Sequence, residues 1–227
     1  DGRYGSYSDA SPLSARQRGE ALRTVRHLAP VGPRDELNVD KTIYQTVKQA
    51  GEIELVFDRR LRDKLSVFLF IDNGGWSMSR YIDRTRDLFR QARHTFKELK
   101  TYFFHNCIYD VVWEDPQRWH RPVVLEEILK ADADTRVIVL GDASMASYEL
   151  LHPMGALDII SEQRRAGLDS LKDLADRFPG SVWINPMHRS YWPRTRGRNT
   201  IRMVKDVFPM VDLTLTGIEQ AVELLKN

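Results

Sequence analysis

The order of apolar and polar positions divides the chain into two unlike stretches. Residues 1–11 show no period. From about Ser14, Ala21, Leu22, Val25 and Leu28 recur at helical spacing until Pro30, Gly32 and Pro33 end the pattern. A second helix is predicted from Asp40 as N-cap, with Val39, Ile43 and Val47 as its stripe and Gly51 at its end. Residues 52–57 alternate like a half-buried strand, and Arg59, Arg60, Arg62 and Lys64 form a charged link. Beyond the link the rhythm changes to short apolar runs separated by longer amphipathic segments. The run 66–71 is continuously apolar and bounded by Asp72-Asn73-Gly74-Gly75, as for a strand buried on both faces.

The spacing then predicts a helix over 79–99, a strand over 101–109 with 111–113 paired to it, and a helix over 123–131. A strand follows at 136–140, then a helix marked by Leu168, Leu171, Ala175 and Phe178, and a strand at 181–184. A helix at 201–208, a strand at 211–215 and a last helix opening at Thr216, with Glu219 as its capping-box partner, complete the pattern. Alternating buried strands and helices specify a doubly wound, mostly parallel α/β sheet over 64–227. Residues 1–63 are expected as a helical and extended segment packed on that domain, because about 60 residues with few large apolar groups make a poor core alone.

Composition narrows the class. Hydrophobic residues make up 42% of the 227, enough for a real core, and a net charge of +2 is too small to signal nucleic-acid binding by itself. The one cysteine, Cys107, excludes an internal disulfide. With no bilayer-length apolar run and no signal-peptide pattern, a cytoplasmic protein with no membrane partner is expected.

In a doubly wound sheet, ligands bind beyond the carboxyl ends of the strands, so the loops there are where chemistry is sought. Asp72-Asn73-Gly74-Gly75-Trp76-Ser77-Met78 follows one buried strand and Gly141-Asp142-Ala143-Ser144-Met145 another. Carboxylates and hydroxyls are hard oxygen ligands that suit Mg²⁺, Mn²⁺ or Ca²⁺ rather than zinc. The candidate metal set is Asp72, Ser77 and Asp142, with Gly74 and Ser144 in the same loops. Either aspartate could equally serve as a helix cap.

A third strand end, Asn185-Pro186-Met187, leads into a basic and aromatic run from His188 to Arg198. Arg189, Trp192, Arg194 and Arg196 are its candidate partner contacts, fitted to an acidic segment by bidentate arginine–carboxylate pairing; the alternative is a solvated loop whose aromatics cover the core, and nucleic acid is not expected. A His105–Cys107 nucleophile pair is set aside, because two such residues in a strand lack a third, orienting group.

The loop Ile71-Asp72-Asn73-Gly74-Gly75-Trp76-Ser77-Met78 resembles the first loop of the metal-ion-dependent adhesion site of von Willebrand factor A domains, usually Asp-x-Ser-x-Ser. Ile138 to Ala143 resembles the later strand whose terminal Asp completes that site. Phe104-His105-Asn106-Cys107, Gly141-Asp142-Ala143-Ser144-Met145, Trp183-Ile184-Asn185-Pro186 and the stretch Phe208-Pro209 through Leu215 look like the bacterial CoxE-like branch. Gly74 stands where the common motif has its first serine, one extra residue precedes Ser77, and Arg121-Pro122-Val123-Val124 lacks the family's threonine.

The resemblance implies a Rossmann-like fold and a non-enzymatic interaction module whose metal binds a partner's carboxylate. It also implies an AAA+ ATPase of the MoxR type as partner, in the assembly or maturation of other complexes. Two alternatives stay open: a scaffold that uses the fold without metal, and a haloacid-dehalogenase-like phosphatase with Asp72 as nucleophile. The phosphatase would need an acid at position 74, which is glycine.

Overall fold

The computed structural model describes residues 15–26, 36–49, 52–58, 65–74, 78, 89–90, 93, 96–156 and 165–226. Its centre is a seven-stranded sheet. The strands, in chain order after the short pair β1 (Glu36–Leu37) and β2 (Phe57–Asp58), are β3 (Ser66–Asp72), β4 (Glu98–Phe104), β5 (Val111–Trp113), β6 (Pro122–Val124), β7 (Arg136–Leu140), β8 (Ser181–Asn185) and β9 (Met210–Asp212). Their spatial order is β6-β5-β4-β3-β7-β8-β9. The pairings β3–β4, β3–β7, β7–β8 and β8–β9 are parallel, whereas β5 and β6 extend one edge antiparallel. The fold is α/β and Rossmann-like.

The helices are α1 (Ala15–Arg26), α2 (Val39–Lys48), α3 (Leu125–Ile128), α4 (Ser147–Leu151), α5 (Gly167–Arg177), α6 (Arg198–Val207) and α7 (Leu215–Lys226), with a 3-10 helix at Arg189–Arg194. Side chains of a strand alternate between its faces, and both faces of β3 are covered. Phe68 and Phe70 join one core with Tyr102, Leu171, Leu174, Ile201 and Val204; Val67, Leu69 and Ile71 join another with Ile218, Val222 and Leu225. Alpha1 belongs to the second core through Ala21 and Val25 and packs on α7. Alpha2 buries none of its residues, and its stripe of Val39, Ile43 and Val47 is exposed. No described helix is long and apolar enough to cross a membrane.

Several predicted boundaries move. Glu98 and Leu99 are strand, not the end of a helix, because the chain at 98–104 pairs along the whole of β3. Residues 123 and 124, expected as the start of a helix, belong instead to β6, which pairs with β5. Residues 52–56 are not strand, and only Phe57–Asp58 finds a partner, in the two residues of β1. The caps fall two residues earlier than predicted. Asn38, not Asp40, accepts from the Lys41 N–H at 2.8 Å, and the Thr214 hydroxyl accepts from the Gly217 N–H at 3.0 Å where Thr216 was expected to cap. Gly51, the link at 59–64 and 79–88 of the expected helix lie outside the described residues.

The turn from β9 into α7 is closed tightly by Gly217. A Cβ there would stand 1.8 Å from the backbone oxygen of Asp212, which cannot swing aside as a side chain can. Gly217→Ala is therefore expected to lower stability by about 2–3 kcal/mol, the upper part of the overpacking range, despite alanine's better helix propensity. Urea midpoints check it, and a loss under about 0.5 kcal/mol would mean that the turn opens freely.

Candidate metal centre

The chain leaves β3 for β4 on one side and returns to β7 on the other, so the switch point lies between β3 and β7, where a doubly wound sheet places its ligand site. Register puts the two acidic loops there. Ile71 pairs with Leu140, so Asp72 stands level with Gly141 and Asp142 follows one residue on. A Cβ on Gly141 would lie 3.3 Å from Asp72 Cβ and 3.1 Å from the Trp183 ring, so glycine there leaves room for both.

Asp72 is only 2% exposed. Its Oδ1 accepts the backbone N–H groups of Gly74 and Asn106, each at 3.1 Å. Asn106 holds a left-handed φ of 58°, which aims its N–H at the carboxylate, and its side-chain amide donates to Glu149 Oε2 at 2.8 Å. Glu149, buried at the start of α4, also accepts the Ala146 N–H through Oε1 at 3.1 Å.

The second loop is held as firmly. Asp142 Oδ1 accepts the Ser144 N–H at 2.8 Å, and Ala143 between them has φ 55°. Trp183 Nε1 donates to the Gly141 carbonyl at 2.7 Å, and Asn185 Nδ2 to the Asp142 carbonyl at 2.8 Å. The Thr200 hydroxyl donates to the Ala143 carbonyl at 2.8 Å. An alanine in the left-handed region costs of order 1 kcal/mol, and such strain persists only where surrounding contacts impose it.

Burial first, and the negative charge of Asp142 second, push the Asp72 carboxyl from its ordinary 3.8 up to about 7; the N–H groups of Gly74 and Asn106 and the charge of Arg118 act the other way. An aspartate whose protonation is raised by burial and by a second carboxylate, with half-buried Ser144 beside that second carboxylate, brings hard oxygens together in a way that fits a divalent cation. Asn73 adds a buried Oδ1 with no hydrogen-bond donor among the described residues. No group of three or more His, Cys, Asp or Glu with metal-binding geometry occurs among the described residues, so an ion here would rest on hydroxyl, backbone or water oxygens besides the two aspartates. Ser77, the predicted hydroxyl ligand, lies outside the described residues.

Gly74 has a steric reason. A Cβ at this position would fall 1.7 Å from His105 Cδ2 and 2.2 Å from Cγ, so the imidazole of His105 fills the space that a side chain at 74 would need. Cys107 is buried, and burial pushes its thiol well above the ordinary range, with the charges of Asp72 and Glu149 adding to it; it is held as a thiol.

The basic run divides. Arg189 is exposed but already paired within the chain: its guanidinium meets Asp212 at 3.1 and 3.2 Å and Gln220 at 3.0 Å. Trp192 is buried at 9% exposure, its Nε1 donating to the Met187 carbonyl. Arg194 and Arg196 are exposed and make no ion pair with a described residue. Arg196 sits next to Gly197, where a Cβ would fall 2.1 Å from Ser144 Oγ, so this run abuts the Asp142 loop.

Asn106, Glu149, Trp183, Asn185 and Thr200 position the two aspartates, yet the sequence reading gave none of them a role in the site. Asn106 and Asn185 stand at strand ends, where that reading could have found them. Glu149 and Thr200 carry no local signal. Comparison of the chain with known protein families, with curated proteins and with solved structures finds no match.

Proposed function

We propose that this protein is a non-enzymatic interaction module that binds a divalent cation at Asp72 and Asp142 and uses it to hold an acidic group of a protein partner. One observation carries the reading: a buried aspartate ends the central strand at the switch point, a second aspartate follows the neighbouring strand, and burial first and that second charge after it push the Asp72 carboxyl up to about 7. Such a pair costs free energy in the apo protein, and a cation removes the cost. Asp72 and Asp142 would hold the ion, with Ser144 and Ser77 as hydroxyl donors; Mg²⁺ is the natural candidate, with Mn²⁺ or Ca²⁺ fitting the same oxygens. When bound, the ion supplies a coordination position for a partner's carboxylate. Exposed Arg194 and Arg196, in the run that abuts the Asp142 loop, offer that partner further carboxylate contacts. The resemblance to the CoxE-like von Willebrand factor A branch supports a MoxR-type AAA+ ATPase as the partner and assembly of other complexes as the setting.

Calorimetric titration of Mg²⁺ and Mn²⁺ tests the reading, beside the double variant Asp72→Ala, Asp142→Ala. Saturable binding that disappears in the variant is the expected result. A protein that takes up neither ion at millimolar concentration would remove the metal from the proposal. Partner binding that persists in chelator would favour the metal-independent scaffold.

A further inference from the structure

A cleft of about 600 Å³ is walled by the 3-10 helix, α6 and β9. Its lining includes Arg198, Arg202 and Lys205 from α6, Arg189 from the opposite wall, and the apolar surfaces of Trp192 and Met210. No acidic side chain among the described residues lines it. Arg189 is neutralised by Asp212. Arg198, Arg202 and Lys205 make no ion pair with any described residue.

These three cations recur at i, i+4 and i+7, which sets them along one face of α6 over about 10 Å. The placement works against the helix. Arg198 is its first residue, with no acid in the first turn, so a cation sits at the positive end of the macrodipole. Arg198 and Arg202 are also like charges one turn apart, which repel. An anion in the cleft relieves both costs.

We propose that this cleft binds a phosphorylated small molecule of nucleotide size. Its phosphates would meet Arg198, Arg202 and Lys205, and its apolar part the Met210 and Trp192 surface. The volume falls within the range of small-molecule sites. Charge density favours phosphate over an acidic peptide: an extended peptide repeats same-face carboxylates only every 7 Å or so and would reach two of the three cations. A diphosphate concentrates three negative charges in less than that length, in tetrahedral oxygens that arginine forks match. The cleft shares no residue with the aspartate pair, so this inference stands or falls apart from the metal reading.

The test is calorimetry in chelator, at low salt, with ADP, pyrophosphate, adenosine and a hexaglutamate peptide as probes. ADP is expected to bind, adenosine not to, and added salt to weaken the binding. The double variant Arg198→Gln, Arg202→Gln should lose at least about tenfold in affinity for ADP while melting no lower than the parent, because it removes a repulsion. Lys205→Gln, with the arginines in place, should lose less. Asp72→Asn should bind ADP as the parent does. The inference is overturned if neither ADP nor pyrophosphate binds at millimolar concentration, if the double variant binds ADP as well as the parent, or if hexaglutamate binds more tightly than both phosphates.

Discussion

Replacing Asp72 by Asn is expected to stabilise the metal-free protein at pH 8, by up to about 4 kcal/mol. In the native state the Asp72 carboxyl is raised from 3.8 to about 7, by burial first and by Asp142 second. Each unit of such a shift corresponds to about 1.4 kcal/mol. Between about pH 4 and pH 7 the native protein holds a proton that the unfolded chain has released, so stability falls as pH rises through this window, and above it the full penalty is paid. Asparagine keeps an oxygen to accept the N–H groups of Gly74 and Asn106 while removing one of the two opposed charges. Urea unfolding of both proteins at pH 5 and pH 8 in chelator isolates the effect, because every other titrating group is common to both. The parent should lose stability across this interval and the variant should lose markedly less. Equal losses would show that the aspartate pair is not the source. Saturating Mg²⁺ should then restore stability to the parent and not to the variant, since a ligand stabilises only the state that binds it.

Trp183→Ala should be the most damaging single change near the site, costing about 3–5 kcal/mol and lying toward the upper end. The indole is fully buried, meets Phe104 edge-on with ring centroids 6.4 Å apart, and packs on Phe208 at 5.8 Å. Its loss leaves a cavity between β8 and α6 and also strips the Gly141 carbonyl of its 2.7 Å donor, an added cost for a buried acceptor. Trp183→Phe, which fills most of the space but cannot donate, should fall at about half that cost. Urea midpoints at constant m-value separate the two. A loss under about 1 kcal/mol for the alanine variant would mean that the Asp142 loop does not lean on this ring.

The fold was legible where a strand is buried on both faces. The runs at 66–71, 136–140 and 181–184 became β3, β7 and β8 within a residue, because a short continuous apolar run between turn residues has few other uses. It was illegible where the pattern suits two structures. Phe96 and Leu99 fit a helical stripe, but Leu99 pairs with Val67 in the sheet, a choice made by a partner some thirty residues away. The aspartates could be read because a lone acid after a buried strand is conspicuous. The groups that hold them could not: Asn106 reaches Asp72 across 34 positions and Thr200 reaches Ala143 across 57. The pairing of Arg189 was illegible for the same reason. Nothing local to Arg189 announces that Asp212, 23 residues on, has claimed it.

The packing of His105 on Gly74 has a consequence for descent. A Cβ at 74 would meet only side-chain atoms of His105, so any larger residue there requires that ring to turn away from the loop. Positions 74 and 105, thirty-one residues apart, are therefore expected to vary together: glycine at 74 where the ring packs on the loop, a larger residue at 74 where position 105 is small or turned out.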